Sequence, residues 1–135
     1  MLAFLSPDWL AALDEAAQAD PRLAEGTASL SLVVEQRILK VPGADSSTTD
    51  LSYHVSIDHG QVSVVPGPAP APTVRFSQDL ATARAIAQGS ESAQRAFMTG
   101  RIQVGGDLRA LVEHQEILGD LADVFASVRA RTDFT

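Results

Sequence analysis

Apolar and polar side chains alternate along the middle of this chain, which is the pattern of strands with one buried face. The apolar members of the alternation are Leu30, Leu32, Val34, Leu51, Tyr53, Val55, Ile57, Val62, Val64, Val74 and Phe76. Asp58-His59-Gly60 predicts a hairpin turn, because glycine adopts the positive φ that tight turns need. Such clear alternation predicts a mostly antiparallel sheet that is covered on one face only.

Helical signals flank this region. Ser6-Pro7-Asp8 predicts a helix start, and Pro21 predicts its end near Asp20, because proline disfavours helix in the residue before it. Ser77 or Asp79 is expected to cap a helix that runs to Gln88 and stops at Gly89. A short helix is expected from Ser90 to Met98.

The last third of the chain predicts one more strand and further helices. Residues 101–105 alternate as a fifth strand, and Asp107 is placed to cap the next helix. Gly119-Asp120 predicts the end of one helix and the start of another. Leu121, Val124, Phe125 and Val128 then follow at i, i+3, i+4 and i+7, which is an amphipathic helical stripe.

Two segments between these elements show neither the alternation of a strand nor the spacing of an amphipathic helix. Residues 43–50 are polar and predict a loop, and residues 67–72 are rich in proline, which predicts an extended connection on a sheet edge. The whole pattern predicts a single α+β domain over residues 1–135. It consists of a five-stranded, mostly antiparallel sheet with about five helices covering one face.

Composition excludes several function classes. The 135 residues carry a net charge of −7, and such an acidic domain is repelled by nucleic acid phosphates and anionic lipid surfaces. No apolar run approaches the ~20 residues that span a bilayer, so we expect no stable membrane insertion. The chain has no cysteine and no signal-peptide pattern, and it prefers arginine to lysine. We therefore expect the protein to be located in the cytoplasm of a bacterium.

The residues that carry chemistry form no convincing catalytic or metal-binding pattern. The glycine spacing at 100–105 resembles a phosphate loop, but Gly106 and Asp107 stand where lysine and a hydroxyl residue are needed. His54, His59 and His114 lack the spacing of metal ligands, and Glu113, Glu116 and Asp120 are typical of an exposed acidic helix face. Asp58-His59 at a hairpin tip is too exposed for a triad. We expect no catalytic residue, no metal and no cofactor, and hence no enzyme.

The remaining feature is an apolar set that sheet and helices are expected to bring together. Its members are Phe76, Ile86, Phe97, Met98, Ile102, Val104, Leu108, Leu111, Leu121, Val124 and Phe125. Periodicity alone permits two interpretations, a packed core and a ligand cavity.

Residues 97–108, Phe-Met-Thr-Gly-Arg-Ile-Gln-Val-Gly-Gly-Asp-Leu, resemble the sterol carrier protein type-two family. Its members show an aromatic residue, Gly-Lys/Arg, an alternating strand, Gly-Asp or Gly-Asn, and then an apolar helix. The resemblance implies an apolar tunnel between sheet and helices. It also implies non-catalytic binding of sterols, fatty acids, acyl-CoA or other lipids.

The leading hypothesis is therefore a non-enzymatic carrier of an apolar lipid, such as a fatty acid, an acyl chain or a sterol-like molecule. Phe97 and Met98 would form a wall of the tunnel and Ile102 and Val104 its floor. Leu121, Val124 and Phe125 would form a lid hinged at Gly119. The alternative is a protein-interaction module that keeps the scaffold, packs its core without a ligand and binds a protein partner.

Overall fold

The computed structural model describes residues 2–42 and 48–134. The strands are β1 (Leu2–Ala3), β2 (Ser31–Pro42), β3 (Thr48–Asp58), β4 (Gln61–Pro66), β5 (Val74–Asp79), β6 (Ile102–Gly106) and β7 (Thr132–Asp133). The helices are α1 (Pro7–Ala19), α2 (Pro21–Gly26), α3 (Leu80–Gln88), α4 (Ala93–Met98), α5 (Leu108–Glu113) and α6 (Gln115–Ser127), followed by a 3-10 turn at Arg129–Arg131. The predicted α+β class is confirmed.

Five of these strands form one sheet in the order β4-β3-β2-β5-β6. Three neighbouring pairs are antiparallel, and β2 and β5 are parallel. The predicted hairpin joins β3 to β4 through His59 at φ 44° and Gly60 at φ 91°. Two successive positive φ values match the twist of paired antiparallel strands, which is why glycine is favoured there. The mostly antiparallel sheet is confirmed.

The proline-rich connection after β4 crosses the outer face of the sheet, so its predicted place on a sheet edge is wrong. The Ala69 N–H donates to Glu35 Oε1 at 2.7 Å, and the Gly67 carbonyl lies 2.9 Å from His54 Nδ1. Glu35 and His54 are cross-strand partners on that face. The crossing follows from topology, because β4 lies at one edge of the sheet and the chain must pass over both β3 and β2 to reach β5.

The helices bury their apolar sides against the other face of the sheet. Trp9, Leu10 and Leu13 of α1 join one core cluster with the inward residues of β2 to β5, and Leu121 and Val124 of α6 join the same cluster. α1 follows its prediction, since the Ser6 hydroxyl accepts from the Trp9 N–H at 3.1 Å. Asp20 ends α1 and also caps α2, a helix that sequence analysis missed.

Several predicted boundaries are wrong. Residues 43–47 of the predicted polar loop lie outside the described residues, and Thr48–Asp50 begin β3 instead. α6 continues through Gly119, and the break between helices falls at His114. A glycine inside a helix costs only about 1 kcal/mol, and burial of Leu121 and Val124 in the core offsets that cost. Within the described residues, no helix has the length and apolarity to cross a bilayer.

Asp79 rather than Ser77 caps α3. Its Oδ1 accepts from the Thr82 N–H at 2.7 Å, and Gly89 ends the helix at φ 84°. Hydrogen bonds from the Thr82 backbone and hydroxyl, together with the Arg101 charge, hold the pKa of Asp79 below its ordinary value. The carboxylate form is therefore the one that stabilises the fold.

Replacing Asp79 by alanine is expected to lower the free energy of unfolding by about 1 kcal/mol at neutral pH. Because the folded-state pKa is lowered, the charged contribution is complete above the unfolded pKa of about 3.9 and is lost as pH falls through the folded value. Urea unfolding from pH 7 to pH 3 checks this. Asp79→Asn is the control, since it keeps a capping oxygen but does not titrate. An Asp79→Ala deficit that stays constant to pH 3 would contradict the assignment.

Candidate functional site

The helix-facing side of β5 and β6 carries the predicted floor of the site. Phe76 lies opposite Val104, and Gln78 lies opposite Ile102. Ile102 is buried, whereas Phe76 and Val104 are only half-buried. The apolar row therefore keeps access to solvent at this end of the sheet.

The structure brings six of the eleven predicted residues together at the core. Leu121 and Val124 belong to the buried cluster, and the partly buried side chains packed against it include Phe76, Val104, Leu111 and Phe125. Ile102 is buried outside that cluster, and Ile86 is half-buried on α3.

Three predicted residues point away from this region. Phe97 is 51% exposed, Met98 is 75% exposed and Leu108 is 52% exposed. The reason is helical geometry, because successive residues of a helix are rotated by about 100°. α4 packs on β6 through the fully buried Ala96, so its two neighbours Phe97 and Met98 cannot face the same way. In α5 the buried residue is Ala110, which turns Leu108 outward.

A polar pair interrupts the helix-facing side of the sheet. Gln78 Nε2 donates to Gln36 Oε1 at 2.8 Å, and Gln78 Oε1 is buried without a hydrogen-bond partner among the described residues. No buried polar group was predicted here. The alternation contained the signal, because Gln36 lies between the inward-facing Val34 and Ile38.

The two chain ends form a cleft that sequence analysis also missed. β1 and β7 pair in parallel, and the Phe4 ring lies 5.3 Å from the Phe134 ring. The cleft between them and the sheet has a volume of about 380 Å³. Its lining comprises Ala3, Phe4, Leu5, Ser6, Val41, Leu51, Leu80, Arg84 and Phe134.

A second cleft, of about 520 Å³, lies between the α1–α2 junction and α6. Its lining includes Asp20 and Arg22, which pair at 3.4 Å, and Asp123. Val124 of the predicted lid contributes to it. The charged lining is unlike that of a lipid site, which is predominantly apolar.

The residues with potential chemistry have structural surroundings. His54 bonds the Gly67 carbonyl, and Asp58 and His59 are exposed at the hairpin tip, 2.6 Å apart. Glu35 is buried but accepts from Ala69 N–H and pairs with Arg75. In residues 2–42 and 48–134, no three acidic or histidine side chains are grouped as metal ligands.

A comparison with protein families shows to which family the chain belongs. The profile of the SCP-2 sterol transfer family matches residues 10–119. The chain belongs to this family. The match runs from the first turn of α1 into α6, so it includes every strand of the large sheet. The comparison with curated protein sequences finds no match.

Solved structures share the fold. A sterol carrier protein 2 crystal structure has a TM-score of 0.73 at 17% identity, covering 91% of this chain and 97% of its own. A Thermus thermophilus protein described as possibly sterol carrier protein has a TM-score of 0.72 at 17% identity, covering 93% and 89%. Palmitated SCP2L2 from Aedes aegypti has a TM-score of 0.56 at 20% identity, covering 90% and 95%.

Proposed function

We propose that this protein binds an apolar lipid between its sheet and its C-terminal helices, and carries it without catalysing a reaction. The observation that carries the proposal is the half-burial of Phe76, Val104, Leu111 and Phe125, which pack against the core and still keep solvent access. Apolar side chains that stay partly exposed together beside a core are typical of a ligand-binding groove.

Membership of the SCP-2 sterol transfer family supports the same function. The ligand class that we propose is an acyl chain or a sterol-like body, because the described residues assigned to the site have apolar side chains. The Aedes aegypti relative is described as palmitated, which supports an acyl chain.

The exposed side chains of α4 and α5 have a role in this proposal. Phe97, Met98 and Leu108 flank β6, the strand whose Ile102 and Val104 form the floor. These three side chains point away from the floor in the structure, so covering a bound lipid with them would require α4 and α5 to turn about their axes. Each fully buried side chain of this type contributes about 1.5–3 kcal/mol. Closure of the two short helices over a ligand would therefore stabilise the complex.

Thermal unfolding with a lipid panel tests the proposal. Decanoate, palmitate, a sterol and a non-ionic detergent are each titrated against the purified protein. A ligand at a hundred times its Kd stabilises the folded state by about 2.7 kcal/mol, so Tm should rise by several degrees in a concentration-dependent way. No rise with any member of the panel would contradict lipid binding.

The exposed residues also favour a second candidate, a protein-interaction module on the same scaffold. Phe97, Met98, Leu108 and Val112 are large apolar side chains exposed on α4 and α5, and exposed apolar side chains that gather in one patch are typical of interaction sites. The two candidates differ in the experiment above, because only the lipid carrier is stabilised by the panel.

A further inference from the structure

Arg84 on α3 is a cation in an apolar setting, without a partner in the part of the chain that the structure describes. Its side chain is half-buried, its Nε atom is fully buried, and it makes no hydrogen bond or ion pair with any described residue. A buried donor without an acceptor destabilises the fold, so such groups are usually paired. An unpaired guanidinium that lines a cleft is therefore set up to bind an anion.

The cleft beside Arg84 has mostly apolar side chains among its other described lining residues. Phe4, Leu51, Leu80 and Phe134 contribute apolar surface, and Arg84 is the charged residue among the described lining residues. The Ser6 hydroxyl already accepts from Trp9 N–H as the cap of α1. A volume of about 380 Å³ is at the lower end of the range for small-molecule sites, roughly 300–1,000 Å³.

We infer that the cleft between the chain ends binds a single acyl chain whose carboxylate pairs with Arg84. The inference goes beyond the proposed function, because this cleft shares no described lining residue with the site between the sheet and the C-terminal helices. A carboxylate offers two oxygens to the parallel N–H groups of a guanidinium, which an alcohol cannot do. The hydrocarbon then lies against the rings of Phe4 and Phe134.

The arrangement predicts two separate dependences of affinity. Each methylene that the apolar lining buries should tighten binding about fourfold, until the chain exceeds the cleft. Loss of the charged pair should weaken binding about 10- to 100-fold at constant chain length. Chain length and headgroup can therefore be tested independently.

Isothermal titration calorimetry with decanoate and 1-decanol tests the headgroup. The wild-type protein is expected to bind decanoate at least about tenfold more tightly than decanol. Arg84→Gln should abolish that preference and leave decanol affinity within about threefold of wild type. Arg109→Gln is the matched control, because it removes the same charge from an exposed position on α5 outside the cleft.

Fluorescence of the single tryptophan reports the place of binding. The Trp9 ring lies 5.0 Å from the Phe4 ring, edge to face, so a ligand against Phe4 should change its emission. The change should saturate with the same Kd as the calorimetric titration. Phe134→Ala removes cleft lining at a chain end and should weaken decanoate and decanol by a similar factor.

The possible outcomes of these binding experiments overturn different parts of the inference. If decanoate and decanol bind the wild type equally, or Arg84→Gln weakens both equally, the carboxylate assignment is overturned while lipid binding stands. If decanoate binds but Trp9 emission and Phe134→Ala show no effect, the ligand lies elsewhere and the cleft assignment is overturned. If neither compound nor the lipid panel binds, the proposed function fails as well.

Discussion

Replacing Leu13 by alanine should lower the free energy of unfolding by about 2–5 kcal/mol, whereas the larger truncation Phe125→Ala should cost less than about 2 kcal/mol. Leu13 is 0% exposed and packs in the core, so its truncation leaves a cavity. Phe125 is half-buried at the proposed site, so solvent and its neighbours can fill the space left by its ring.

Urea unfolding followed by circular dichroism measures both values on the same protein. The comparison separates the two interpretations of the apolar set. In a solidly packed core, phenylalanine to alanine costs about 3–5 kcal/mol. A Phe125→Ala loss as large as that of Leu13→Ala would therefore indicate an interaction module with a closed core.

Replacing Gly106 by alanine is expected to lower the free energy of unfolding by more than about 2 kcal/mol. Gly106 has φ 93°, and an added Cβ would overlap the carbonyl oxygen of Thr73. The left-handed backbone alone costs an alanine about 1–2 kcal/mol. The overlap adds to this, because the Thr73 carbonyl is held by the Asp107 N–H at 2.8 Å.

Gly105→Ala is the neighbouring control. An added Cβ at Gly105 meets no atom within 4 Å, so the change should stay within about 0.5 kcal/mol. Denaturant unfolding of the two variants beside the wild type gives the difference. Equal stabilities for Gly105→Ala and Gly106→Ala would show that β6 does not approach Thr73 as described. The same result would also be evidence against the tight turn that positions α5.

The strands were predictable because their signal is local. Val34, Val55 and Val64 face the helices since every second residue of a strand does, and the His59-Gly60 turn has its own sequence pattern. The order of the strands is not local. Nothing in residues 67–73 specifies that β5 pairs with β2, so the crossover over Glu35 was missed.

The helical part of the site was only partly predictable. Leu121 and Val124 were identified because their spacing forms a long stripe on a thirteen-residue helix. α4 has six residues, and the one that it buries is Ala96. Alanine contributes little to an apolar stripe, so the larger Phe97 and Met98 suggested the wrong face.

The cleft at the chain ends could not be predicted from pattern. It depends on a two-residue pairing of β1 with β7, which are more than a hundred residues apart and too short to show a period. Arg84 lies in an ordinary amphipathic helix, and its lack of a partner among the described residues becomes visible only once the surrounding elements are placed.

Native mass spectrometry of the freshly purified protein tests lipid binding most directly. Lipid binding predicts a population heavier than the bare chain by the mass of bound lipid, and a complex with decanoate after delipidation and reloading. Bare chain alone, both as purified and after incubation with the lipid panel, would contradict it.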